Sequence, residues 1–137
     1  MSVLKSQRGQ SGVQFLDTAY DLHVMSIKNC LKIPKRLTFY LSTDIVRAAA
    51  ECHSNVKSAN SIFPTNQHEV QLRRDYLIKA NSAVQTLYSL LDILWGFHAE
   101  GITEHTMEIW IDTAAKEAKL IAGIKESDKK RFANLPP

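Results

Sequence analysis

Apolar positions recur along most of this chain at helical spacing. Between Val13 and Ile33, the residues Leu16, Tyr20, Val24, Ile27 and Leu31 follow one another at steps of four, four, three and four. That spacing draws one stripe along an amphipathic helix. Pro34 closes the segment, because the residue before a proline avoids the helical region. A second stripe runs through Leu37, Leu41, Ile45, Ala48, Cys52, Val56 and Ala59, and stops at "SANSIFPTN". Asn66, with Glu69 three residues on, reads as an N-cap supported by a capping box. The third stripe is Leu77, Ala80, Val84, Leu87, Leu91 and Leu94, with Ala83, Leu90, Ile93 and Phe97 on a second flank. Its alternation of three and four is heptad packing. Gly96 and Gly101 bracket a loop, and Thr103 opens a fourth helix with Met107, Ile111, Ala114, Ala118 and Ile121 inward, ending near Gly123 to Ser127.

Four helices joined by short connections predict an all-α, up-down antiparallel four-helix bundle over residues 13–127. Residues 1–12 are polar and rich in Gly, Ser and Gln, which predicts a disordered arm. Residues 128–137 read as a flexible basic tail. With 137 residues, 45% of them hydrophobic, the chain suffices for one core. The start "MSVLKSQRGQSG" has no apolar signal core and no window approaches a membrane span, so a cytoplasmic protein is expected. Cys30 and Cys52 fall inside helical patterns and make neither a disulfide framework nor a zinc site.

Charge is uneven along the chain. Residues 1–40 hold six Lys/Arg against two Asp/Glu, residues 91–118 hold one against six, and residues 119–137 hold five against two. Lys28, Lys32, Lys35 and Arg36 gather around the first helix junction, and Arg73 and Arg74 begin the third helix. In an antiparallel bundle these two groups lie toward opposite ends. Each cation alone reads as solubilising charge, but together they suit phosphate binding without base preference. No exposed aromatics are expected among them to stack bases. Glu104, Glu108 and Asp112, spaced by four, form an acidic stripe whose mutual repulsion a neighbouring subunit's cations would relieve.

Catalytic signals are sparse. No Glu-x-x-His pair suggests a di-metal bundle, and no phosphate loop or nucleophile elbow is present, so neither metal nor cofactor is expected. Arg47 and His53, in "RAAAECH", resemble the short motif of HEPN-type ribonucleases. On a continuous helix, six residues turn the two side chains by roughly 240°, so they flank the stripe instead of converging. Arg47 is instead expected to pair with Glu51. A non-catalytic module follows, with the ribonuclease as the rival reading.

The segments "IPKRLTFYL", "DIVRAAAECHSNVKSANSIFPTN", "RRDYLIKANSAVQTLYSLLDIL" and "EAKLIAGIKESDKKRF" resemble the four-helix accessory proteins of diversity-generating retroelements, the accessory variability determinants (Avd). The wider group includes the four-helix proteins of ribosomal RNA intervening sequences, of unknown role, which are the alternative reading within the same fold. The resemblance implies a ring-like homopentamer that binds a reverse transcriptase and RNA or DNA during mutagenic retrohoming. It also implies that Lys35 and Arg36, with Arg73 and Arg74, belong to basic surfaces typical of that family.

Overall fold

The computed structural model describes residues 13–137; the expected N-terminal arm lies outside the described residues. Four helices make an antiparallel bundle: α1 (Gln14–Cys30), α2 (Thr43–Asn60), α3 (Gln67–Gly96) and α4 (Glu104–Arg131). No strand occurs among the described residues. The helices close into a ring of four, α1 on α2 and α4, and α3 on α2 and α4.

The stripes expected for α2 and α3 are the ones buried, from Leu37 to Ala59 and from Leu77 to Leu94. Ile93 and Phe97, expected on a second packed flank of α3, stand exposed. α1 departs from expectation in part: of the expected stripe, Leu16 packs against the core, and Tyr20 and Val24 are half-buried. Its core face is Phe15, Ala19, Leu22, Ser26 and Asn29, while Ile27 and Leu31 are exposed, Leu31 by 81%. The reason stands across the bundle. Trp110 of α4 is fully buried, and its indole Nε1 donates to Ser26 Oγ at 2.9 Å. A large ring with a polar tip needs a small hydroxyl residue opposite, and Leu or Ile there would leave the N–H unpaired. α1 therefore turns its apolar second face outward.

Pro34 is a break, as expected, though α1 loosens from Leu31 and the chain is extended at Pro34 (φ −54°, ψ 141°). A 3₁₀ turn (Lys35–Leu37) and a wider π turn (Thr38–Ser42) then lead into α2. This keeps Leu37 and Leu41 inward and leaves Phe39 and Tyr40 protruding, 83% and 71% exposed. Asn66 caps α3 by accepting from Glu69 N at 2.9 Å. Glu69 reaches back to Thr65, N and Oγ1, where a capping box would use Asn66. Thr103 caps α4 through Thr106 N.

α4 runs past Ser127 to Arg131, and the residues expected to form a loose tail are tied down. Gln67 Nε2 donates to the carbonyls of Phe132 and Leu135, and Gln67 N donates to Pro136 O at 2.7 Å. The first turn of α3 thus finds an acceptor for an otherwise unpaired amide. At the other end, Gly101 takes φ 89° against the backbone of Lys32, and a Cβ there would collide with the Lys32 carbonyl.

Candidate nucleic-acid interface

The six cations singled out in the sequence have three fates. Lys28, Lys32 and Lys35 are exposed, and none forms an ion pair among the described residues. Arg36 is exposed but engaged, its Nη2 donating to both carboxylate oxygens of Glu100 at 2.8 and 2.9 Å. Those hydrogen bonds hold the Glu100 carboxyl below the usual carboxylate range and raise the guanidinium of Arg36. Arg36 therefore ties the α3–α4 loop to the 3₁₀ turn that precedes α2.

Arg73 is a correction. It is 6% exposed and sits inside the bundle, with Nε donating to Asp128 Oδ2 at 2.6 Å and Nη1 to Ala59 O at 2.9 Å. The ring of Phe132 covers its guanidinium at 6.0 Å. This is a structural clamp joining the end of α2, the start of α3 and the end of α4. A buried, fully engaged guanidinium has nothing left to offer a phosphate. Arg74, its neighbour, is half-buried and lines a cleft of about 210 Å³ together with Lys125 and Lys129 of α4.

The two groups do lie at opposite ends. Counting from Arg74 to Gly96 along α3, at 1.5 Å per residue, separates them by roughly 33 Å. The end carrying Lys28, Lys32 and Lys35 also carries Leu31, Phe39, Tyr40 and Phe97, all more than half exposed. The rings of Phe39 and Tyr40 meet edge to face at 5.4 Å. Exposed aromatics thus accompany the cations here, contrary to expectation. The signal was present in the sequence, since both residues fall off the stripe through Leu37 and Leu41.

Arg47 and His53 hold different partners. Arg47 Nη1 donates to Asp44 at 2.9 Å, not to Glu51, while His53 Nδ1 lies 3.0 Å from Nδ1 of His23 on α1. One imidazole donates and the other accepts, so at least the accepting ring is neutral in that arrangement. Burial lowers the pKa of His23 in keeping with this. No group of three or more His, Cys, Asp or Glu suited to a metal occurs among the described residues. Burial pushes the Cys30 thiol up to about 11 and raises Cys52 further, so both thiols stay protonated near neutrality.

Glu117 is the other residue hidden from pattern reading. It is fully buried on α4, and neither carboxyl oxygen has a hydrogen-bond partner among the described residues. Burial pushes its pKa up to about 9, and it in turn raises Cys52.

Against protein-family models, curated proteins and solved structures, the chain finds no match. No helix is long and apolar enough to cross a membrane among the described residues.

Proposed function

We propose that the chain is a non-catalytic accessory protein of a diversity-generating retroelement, acting in the cytoplasm. In this reading it binds the element's reverse transcriptase and its template RNA or complementary DNA. The observation that carries the reading is one end of the bundle, where Lys28, Lys32 and Lys35, in no ion pair among the described residues, share the surface with the exposed Leu31, Phe39, Tyr40 and Phe97. Apolar side chains gathered on a surface and rimmed by charge suit a protein partner, while the lysines suit phosphates. The sequence segments that resemble the Avd proteins name the partner.

Self-association into a ring belongs to the same reading. The acidic residues Glu104, Glu108 and Asp112 are all exposed on α4, and Lys28 and Lys32 are exposed on α1. A head-to-tail contact would set one protomer's acidic stripe against its neighbour's lysines. Arg47 and His53, engaged with Asp44 and His23, favour this non-catalytic reading over a ribonuclease.

The test is co-purification with a reverse transcriptase of a diversity-generating retroelement, together with titration of labelled RNA and DNA at several salt concentrations. The parent co-elutes with the polymerase, and Leu31→Ser with Phe39→Ser abolishes co-elution. Lys32→Glu with Lys35→Glu weakens nucleic-acid binding while circular dichroism stays unchanged. A parent that neither co-elutes nor binds RNA or DNA refutes the reading. Light scattering that finds a monomer at micromolar concentration, at low and moderate salt, refutes the ring.

A further inference from the structure

The cleft between the start of α3 and the end of α4 has a composition that its own packing does not explain. Its floor is apolar, built from Val70, Leu77 and Phe132. Around it stand Arg74, Lys125 and Lys129, three cations from two helices. Arg74 and Lys125 are half-buried and form no ion pair among the described residues. Lys129 has one contact, to Glu126 at 3.3 Å. The single carboxylate lining the cleft, Asp128, is committed to Arg73 and Arg131. Its charge is therefore already balanced and does not answer Arg74 or Lys125.

Cations in the last turn of a helix ordinarily complement its dipole, and Lys129, Lys130 and Arg131 do so here. Lys125 lies above that turn, and Arg74 is on a different helix, in its second turn. Neither position has that explanation. Bringing unpaired like charges to one half-enclosed cleft is mildly unfavourable in the empty protein, and an anion seated between them reverses the sign. The aliphatic stems lie along the apolar floor while the charged heads remain free to reach a ligand. Next door, the clamp of Arg73, Asp128 and Phe132 fixes α3 against α4 and so holds the rims of the cleft at a set separation.

We propose that the Arg74–Lys125–Lys129 cleft is a phosphate-binding site, taking a backbone phosphate of an RNA or DNA strand. For the source of that phosphate the inference rests on the nucleic-acid reading above; for the site itself it rests only on the cleft. It moves the principal phosphate contact away from Lys35 to the opposite end of the bundle. With the lysines of the first end roughly 33 Å distant along α3, a bound strand runs along the particle and does not end at one pole.

Amide chemical shifts of the ¹⁵N-labelled protein test this directly, with inorganic pyrophosphate and a twelve-nucleotide RNA as the two probes. Both probes shift the amides of residues 70–77 and 125–133. Arg74→Gln with Lys125→Gln removes those shifts and lowers the salt slope of RNA binding by roughly 0.7 per cation, the single-strand value. Arg74→Lys, which keeps the charge, retains the slope. Binding of pyrophosphate without RNA leaves the site standing and removes the nucleic-acid reading. RNA binding that the double variant leaves unchanged, but that Lys32→Glu with Lys35→Glu weakens, overturns the cleft and leaves that reading intact. Shifts from neither probe overturn both.

Discussion

Replacing Glu117 by leucine stabilises this protein, and by an amount that depends on pH. The carboxyl is fully buried, unpartnered among the described residues, and its pKa is pushed up to about 9 from an ordinary 4.5. In the unfolded chain it ionises near 4.5, whereas in the fold it keeps its proton until near 9. The folded state thus binds more protons between those values, so stability falls as pH rises through that window. Below 4.5 both states are protonated and the linkage term vanishes. At pH 7 the difference of about 2.5 pH units costs about 3 kcal/mol, and by pH 8 nearer 5 kcal/mol, at about 1.4 kcal/mol per unit. The assay is urea unfolding followed by circular dichroism from pH 5 to pH 8, for the parent and Glu117→Leu. The other groups are shared by parent and variant, and Cys52, which Glu117 perturbs, keeps its proton in the fold across this range, so their contributions cancel in the difference. That difference should grow by about 4 kcal/mol between pH 5 and pH 8. A difference constant with pH would mean that Glu117 stays ionised in the fold with a partner, and the reasoning fails.

Three further expectations concern other interior and backbone features. Arg73→Gln leaves the buried Asp128 carboxylate with the longer 3.3 Å contact to Arg131 and lowers stability by about 3–5 kcal/mol in thermal or urea unfolding. It leaves the salt slope of nucleic-acid binding unaltered wherever the protein remains folded. Ser26→Ala leaves the Trp110 indole N–H unpaired in the core and costs about 1–3 kcal/mol, read as a lower urea midpoint with unchanged slope. His98, which follows α3 at φ 50°, occupies a left-handed position that glycine adopts without strain. His98→Gly raises the melting temperature, by about 1 kcal/mol of stability.

The parts of this fold that were legible in the sequence are those where one helix face is apolar and the others are not. α2 and α3 meet that condition, and Leu37 to Ala59 and Leu77 to Leu94 could be placed inward from spacing alone. α1 offers two apolar faces, and spacing cannot choose between them. The choice is made by Trp110 on α4, which demands Ser26 opposite and so inverts the helix. Glu117 and Arg73 escaped for a related reason. Charged residues read as surface, and only the packing of the neighbouring helices reveals that one is clamped by Asp128 and the other is sealed in with no hydrogen-bond partner among the described residues. Of the six cations expected to meet nucleic acid, the structure removes Arg73, occupies Arg36, and leaves Lys28, Lys32 and Lys35 open. Arg74 was singled out by its place at the start of α3, whereas Lys125 and Lys129, which line the same cleft, were not. Lys129 joins the helix only because α4 extends beyond Ser127, which a glycine-containing stretch at Gly123 argued against.

The bond between Trp110 and Ser26 also makes the molecule its own optical instrument. The chain has two tryptophans, and their surroundings could hardly differ more: Trp110 is sealed in the centre, while Trp95 is 40% exposed at the aromatic end. Light emitted from the first is blue-shifted and shielded from a soluble quencher such as acrylamide; light from the second is red-shifted and open to it. Opening of the bundle therefore registers in one indole, and occupation of that end in the other. A single cuvette separates loss of the fold from arrival of a partner, with no label attached.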